Sequence, residues 1–140
     1  MIREPVWVTA EQVVALNRSV VAVTGEPHGI NIVGALEAAV SRPIQHFFYG
    51  PAETHDDLVL LGVKLCVGIS QSQAFTQGNK RTALAGMTIF LNLNGYGISA
   101  SEPGGLAELV LATAAGDRAE RLSEEEFADL LDPLIIHIDG

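Results

Sequence analysis

The 140-residue chain has little cysteine, little charge and few basic residues. A single cysteine, Cys66, excludes an internal disulfide framework and any CxxC metal or redox site. Only 18% of the residues are charged and 48% are hydrophobic, which is typical of a folded chain rather than a disordered one. With 8 Lys and Arg against 17 Asp and Glu, the net charge is −9. Such a chain lacks the basic face of a general nucleic-acid binder, so we expect no nucleic-acid partner.

Long hydrophobic runs are also absent. Residues 82–101 contain no charge over 20 positions, about the length of a bilayer span, but Asn92, Asn94 and glycines interrupt the second half. We therefore expect no membrane segment. The first eight residues show no basic stretch followed by an apolar run, so we predict no signal peptide. The length predicts a single domain over residues 1–140, and we expect it in a reducing cytoplasm.

The acidic excess lies almost entirely in the last 40 residues. Residues 101–140 contain ten acidic and two basic residues, a net charge of −8 out of −9. The simpler interpretation is a solvated acidic face on the last helices. The alternative is a docking surface for a basic partner segment.

Hydrophobic periodicity and capping residues predict six helices and no convincing strand, which defines an all-α domain. The second helix is expected to end at Arg42-Pro43, because the residue before a proline disfavours the helical conformation. The third and fourth are apolar on nearly every side and should be central. Gly78 permits a tight backbone approach before the fourth helix, which Asn79 can cap. The six helices begin near Thr9, Asn31, Thr54, Asn79, Ser101 and Ser123.

The stretch between the second and third helices is aromatic and looks irregular. Phe47, Phe48 and Tyr49 precede Gly50-Pro51, and residues 44–51 are compatible with a short hairpin or a flap. We interpret the aromatic side chains as packing residues. The alternative is a platform for a nucleotide base.

The segment with chemical character is the loop 73–82, which joins the two central helices and reads Gln-Ala-Phe-Thr-Gln-Gly-Asn-Lys-Arg-Thr. Lys80 and Arg81 fall in the first turn of a helix, where cations are disfavoured because free N–H groups already make that end positive. Two cations beside such N–H groups indicate a phosphate site. The alternative is that they point to water or pair with acids such as Asp56 or Asp57.

This loop resembles the signature loop of the Fic/Doc superfamily, and the lysine after Asn79 makes it similar to the Doc (death-on-curing) branch. That pattern reads approximately His-x-Phe-x-Asp-Gly/Ala-Asn-Lys-Arg-Thr. The resemblance extends upstream to residues 36–43 and downstream to 90–96. Leu84 stands where Fic proteins with a Gly-Arg loop carry another arginine, again as in the Doc branch. The loop residues that match are Phe75, Gly78, Asn79, Lys80, Arg81 and Thr82.

The resemblance implies a compact six-helix domain, an activity and a set of partners. Doc-type proteins are toxins of toxin–antitoxin modules that use ATP to phosphorylate a hydroxyl on a translation elongation factor, whereas most Fic proteins transfer AMP. An antitoxin segment would be a second partner. In the family the loop histidine is the general base, and the loop acid binds Mg²⁺ on the nucleotide phosphates. By the same resemblance, residues 78–81 hold the phosphates and Phe75 anchors the loop in the core.

The sequence departs from the family at both chemical positions. Gln73 stands where the family has its histidine, and Gln77 stands where it has its acid. A glutamine amide cannot act as general base, and losing that role typically costs about 10²–10⁴ in rate. A neutral carbonyl oxygen also binds Mg²⁺ less well than a carboxylate does. We therefore expect ATP binding with weakened Mg²⁺ and impaired transfer.

Several explanations of these departures remain open. One explanation is a chain that kept binding and lost transfer, and another is a non-enzymatic module whose groove binds an antitoxin or another partner. A substitution introduced to inactivate a toxin would explain Gln73 but not Gln77. Another histidine could also supply the base, and His46 lies in the flap-like stretch, which in the family covers the active site. The histidines of the chain are His28, His46, His55 and His137.

Overall fold

A computed structural model describes residues 3–99 and 122–138. The described part is mostly helical, as the sequence predicts, with five α-helices, a 3-10 turn and one small antiparallel sheet. The predicted helix opening at Ser101 lies outside the described residues, so the count of six stays a prediction. The elements are α1 (Ala10–Thr24), α2 (Val33–Tyr49), α3 (Leu58–Ser72), α4 (Asn79–Leu93), β1 (Tyr96–Ile98), α5 (Glu124–Leu131), the 3-10 turn (Asp132–Leu134) and β2 (Ile135–His137).

The central helix is α3, which contacts α2, α4 and α5. Its side chains are buried on nearly every side, since Leu61, Val63 and Ile69 are fully covered. Gly68 lets α2 approach closely, because a Cβ at this position would lie 3.3 Å from the carbonyl oxygen of Ala39. This packing fixes the end of α3 and hence the start of the loop that follows it.

The prediction that the second helix ends at Arg42-Pro43 is wrong, because α2 continues through Pro43 to Tyr49. Residues 44–49, predicted as a hairpin or flap, are therefore its last turns. An internal proline costs about 3 kcal/mol through the lost hydrogen bond and a steric clash. Contacts on both sides of the proline offset that cost: the rings of Phe47 and Trp7 make an edge contact at 5.7 Å between centroids, and Arg42 Nη1 donates to the carbonyl of Lys64 at 2.9 Å.

Thr9 with Gln12 and Ser123 with Glu126 have the sequence spacing of a capping box, and both boxes are present. Thr9 and Gln12 exchange side-chain and backbone hydrogen bonds at the start of α1, and Ser123 and Glu126 do the same at the start of α5. Each box satisfies two N–H groups that a helix start leaves free. Gly25 ends α1 in the left-handed conformation at φ 74°.

The prediction that the chain lacks strands is wrong at one place. Strands β1 and β2 pair antiparallel, with Gly97 opposite Ile136 in the centre of the register. Each strand has only three residues, which is too short for an alternating pattern to be read from sequence. None of the helices within residues 3–99 and 122–138 is both long and apolar enough to span a bilayer.

Candidate functional site

The loop after α3 begins at Gln73, which adopts the left-handed conformation at φ 51°. That conformation costs a residue with a side chain about 1–2 kcal/mol. The amide of Gln73 donates from Nε2 to the carbonyl of Ser70 at 3.1 Å. The side chain at the family's histidine position is thus tied to the end of α3.

Asn79 holds the loop closed through both ends of its amide. The N–H of Phe75 donates to Asn79 Oδ1 at 3.1 Å, and Asn79 Nδ2 donates to the carbonyl of Phe75 at 2.9 Å. The prediction that Asn79 caps α4 is wrong, because Asn79 is the first residue of the helix. Gly78 occupies the cap position at φ 77°. Phe75 is 1% exposed in the core below the loop.

A second segment of the chain, residues 29–32, lies antiparallel beside the loop. The N–H of Asn31 donates to the carbonyl of Ala74 at 2.6 Å, and the N–H of Thr76 donates to the carbonyl of Gly29 at 2.9 Å. The hydroxyl of Thr76 also donates to Asn31 Oδ1 at 3.0 Å. Asn31, near which the second helix is predicted to begin, lies one residue before the cap position, which Ile32 occupies, and it fixes the loop instead.

A shallow cavity of about 260 Å³ opens at the start of α4. Within the described ranges, the backbone N–H groups of residues 78–81 have no hydrogen-bond acceptor. Free N–H groups at a helix start attract anions. The residues that line the cavity include every predicted site residue except Phe75. Its walls are Gln73, Thr76, Gln77, Gly78, Asn79, Lys80 and Arg81.

The two cations of the cavity differ in their partners. Arg81 forms an ion pair with Glu26, and its Nη1 donates to the hydroxyl of Thr24 at 3.2 Å. The carboxylate that pairs with Arg81 is thus that of Glu26, two residues after the end of α1, and not that of Asp56 or Asp57. Lys80 is exposed and makes no ion pair with any described residue.

The pKa of Glu26 is lowered from its ordinary value, first by the hydrogen bond from Thr24 and then by that from Arg81. A lowered pKa keeps the carboxylate ionised at neutral pH, so Arg81 faces a charged competitor for any phosphate. Only Lys80 is available without displacing a partner. The pair of cations predicted for this turn is therefore present, with one member already engaged.

Two residues of the site were missed by the sequence-based prediction, Asn17 and His28. Asn17 is 0% exposed between α1 and the loop, and its Nδ2 donates to the carbonyl of Gln77 at 2.8 Å. His28 lies beside it, with Nδ1 2.8 Å from Asn17 Oδ1. A signal was present: Val13, Asn17 and Val21 share the buried face of α1, and a polar residue on such a face needs a partner.

The other histidines lie away from the loop. His46 hydrogen-bonds through Nε2 with Thr54, which precedes α3, whereas the loop follows that helix of about 22 Å. His55 Nδ1 contacts the carbonyl of Phe47 at 2.9 Å in the same region, and His137 packs on Tyr96. The hypothesis that His46 replaces the missing base is therefore wrong.

The cavity does not fit a Mg²⁺ ion held by the protein. Its walls contain no carboxylate, and Gln77 turns its backbone carbonyl toward Asn17. In the described part of the chain, no group of three or more His, Cys, Asp or Glu side chains could hold a metal. Hard cations such as Mg²⁺ prefer carboxylate oxygen, so the lining offers only weak neutral ligands.

Fold and site together define a helical domain with a turn of free backbone N–H groups between its two central helices. The model of the Fic/DOC family matches residues 7–91, more than half of the chain. The protein therefore belongs to the Fic/DOC family. No curated protein matches the chain.

Proposed function

We propose that this protein is a Doc-like toxin component that binds the phosphates of ATP at the start of α4 and has impaired transfer activity. The observation that carries the proposal is the set of free N–H groups of residues 78–81 around a cavity that Lys80 borders. Family membership supports ATP as the source of the phosphates. A translation elongation factor is the proposed protein target, and an antitoxin segment is the proposed partner.

We expect impaired transfer because Gln73 cannot act as general base at its position. Its amide nitrogen is bound to the carbonyl of Ser70, and its amide oxygen has no basicity near neutral pH. A target hydroxyl would then have to lose its proton to water. His46 on α2 and His137 on β2 lie away from this position, with their contacts at Thr54 and Tyr96.

Calorimetry with ATP tests the binding half of the proposal. Micromolar binding that is lost in Lys80→Ala supports it, and because the cavity has no carboxylate, Mg²⁺ should change the affinity by less than about threefold. Arg18→Ala, an exposed cation on α1, is the matched control and should leave binding unchanged. Absence of ATP binding with and without Mg²⁺ would contradict the proposal.

Transfer from radiolabelled ATP to a cell extract tests the other half. Little label should be transferred by the natural chain, and Gln73→His with Gln77→Asp should transfer more than Gln73→His alone. Equal activity of the two variants would refute the argument that a metal ligand is missing. Label from the γ position indicates phosphate transfer, whereas label from the α position indicates AMP transfer.

A non-enzymatic interaction module is the second candidate function. Ile30 and Ile32 are 41% and 51% exposed on the segment that flanks the loop. Exposed apolar side chains beside a groove favour a protein partner such as an antitoxin. Partner binding that survives Lys80→Ala, together with the absence of ATP binding, would favour this candidate.

A further inference from the structure

Two residues outside the loop set the direction of one peptide group in the phosphate-binding turn. We infer that Asn17 and His28 are positioning residues that aim the N–H of Gly78 into the cavity. This inference rests on the proposed phosphate binding and names what controls it. Neither residue borders the cavity, so their effect acts through the backbone of Gln77 and Gly78.

The amide of Asn17 has a defined orientation, with its nitrogen toward the loop. Its nitrogen Nδ2 lies 2.8 Å from the carbonyl oxygen of Gln77 and 3.1 Å from the hydroxyl oxygen of Thr82. A backbone carbonyl can only accept, so the donor end of the amide must face the loop. The side chain is 0% exposed, and no water is needed to satisfy it.

The peptide between Gln77 and Gly78 joins the carbonyl that Asn17 binds to the N–H of the turn. No cis peptide occurs among the residues that the structure describes, so this peptide is trans. In a trans peptide the C=O and the N–H point in opposite directions. Because the carbonyl of Gln77 points to the buried Asn17, the N–H of Gly78 points away from Asn17, and Gly78 itself borders the cavity.

His28 holds the Asn17 amide from the side opposite the loop. Asn17 Oδ1 can only accept, so the ring nitrogen Nδ1 of His28 at 2.8 Å must carry the proton and donate. This bond fixes which end of the amide faces the loop. Without it the amide can turn over and present Oδ1 to the loop instead.

A turned amide would favour the opposite peptide orientation. Asn17 Oδ1 would then accept from the N–H of Gly78, and the carbonyl of Gln77 would point into the cavity. Gly78 has the conformational freedom for such a peptide flip, since it already lies at φ 77° where other residues are strained. One orientation offers a donor to phosphate, and the other opposes phosphate with a carbonyl oxygen.

Substitutions that change only the donor at position 28 test this control. His28→Phe keeps a ring against Phe75 but has no donor, whereas His28→Gln restores an N–H that can reach Asn17 Oδ1. Loss of a hydrogen bond to a charged ligand weakens binding about tenfold or more, so His28→Phe should lose that much affinity for ATP and for inorganic phosphate. His28→Gln should bind within about threefold of the natural chain.

A second variant acts at the other end of the pair. Asn17→Asp keeps the size of the side chain but offers only acceptors, so it should attract the N–H of Gly78 and weaken phosphate binding at least as much as His28→Phe. His137→Phe, a histidine on β2 far from the loop, is the matched control and should bind normally. Thermal unfolding of each variant shows whether it is folded.

The orientation of the peptide is read directly from crystal structures of the natural chain, His28→Phe and Asn17→Asp. We expect the Gln77 carbonyl to face residue 17 only in the natural chain. Equal phosphate affinity of His28→Phe, His28→Gln and the natural chain would overturn the inference. If the natural chain binds neither ATP nor phosphate, the proposed function fails, and an unchanged Gln77 carbonyl in both variants would still overturn the inference by itself.

Discussion

Asn79 closes the loop by two hydrogen bonds to one buried residue, so its removal has a predictable cost. In Asn79→Ala the N–H and the carbonyl of Phe75 both lose their partner. Each buried polar group left unpaired costs about 1–3 kcal/mol, and we expect the free energy of unfolding to fall by about 2–4 kcal/mol. For a chain of this size that loss lowers Tm by roughly 6–15 °C.

A graded series separates the two bonds. Asn79→Asp can still accept from the N–H of Phe75 but cannot donate to its carbonyl, so it should lose about half as much stability. Its negative charge lies in the cavity and should weaken ATP binding at least as much as Asn79→Ala does. Asn92→Ala, an exposed asparagine on the same helix, is the matched control and should have an unchanged or slightly higher Tm.

Thermal unfolding and ATP calorimetry on the four proteins provide the test. If the two hydrogen bonds of Asn79 hold the loop closed, Tm falls in the order natural chain, Asn79→Asp, Asn79→Ala. ATP affinity then falls at least tenfold in both variants. A Tm and an ATP affinity of Asn79→Ala that both equal those of Asn92→Ala would refute the reasoning.

Three further predictions concern charge and exposure. Glu124→Ala should lower the free energy of unfolding by about 1–2 kcal/mol more than Glu125→Ala in urea unfolding, because only Glu124 pairs with cations of α2 and α3 while both acids favour the start of α5. Equal losses would show that the pairs contribute nothing. Glu26→Gln should raise ATP affinity at low salt by freeing Arg81, whereas a lower affinity would mean that Glu26 positions Arg81. Burial raises the pKa of the Cys66 thiol to about 12, so alkylation should stay slow between pH 7 and 9 and become fast only in urea.

The lowered pKa of Glu26 gives the ion pair with Arg81 a defined pH window. The stabilisation by this pair is fully present above pH 4.5, the ordinary pKa of the carboxyl group. It is lost as the pH falls through the lower pKa that Glu26 has in the folded chain. The gain in ATP affinity of Glu26→Gln over the natural chain should therefore be full at neutral pH and shrink only under acidic conditions. A gain that disappears between pH 8 and 6 would contradict this assignment.

Features set by neighbours along the chain could be predicted from the sequence. The capping boxes at Thr9 and Ser123, the central position of α3 and the loop before α4 all follow from local patterns. Pro43 misled the prediction because its local cost is real, whereas the packing of Phe47 on Trp7 that offsets it comes from residues 40 positions apart. Local rules fail where a distant contact is worth more than the local penalty.

The chemistry of the loop divides in the same way. That residues 78–81 present N–H groups follows from a glycine and a helix start, and the sequence predicts it. What those groups can bind depends on partners that no spacing reveals, since Glu26 occupies Arg81 and Asn17 turns the peptide of Gln77. Asn17 lies on α1 and Glu26 just after it, so this part of the chain determines how many donors of the turn are free for the phosphate that we propose. With Gln73 and Gln77 at the positions of the family's base and metal ligand, these donors are, in the function we propose, the part of the family's machinery that the chain retains.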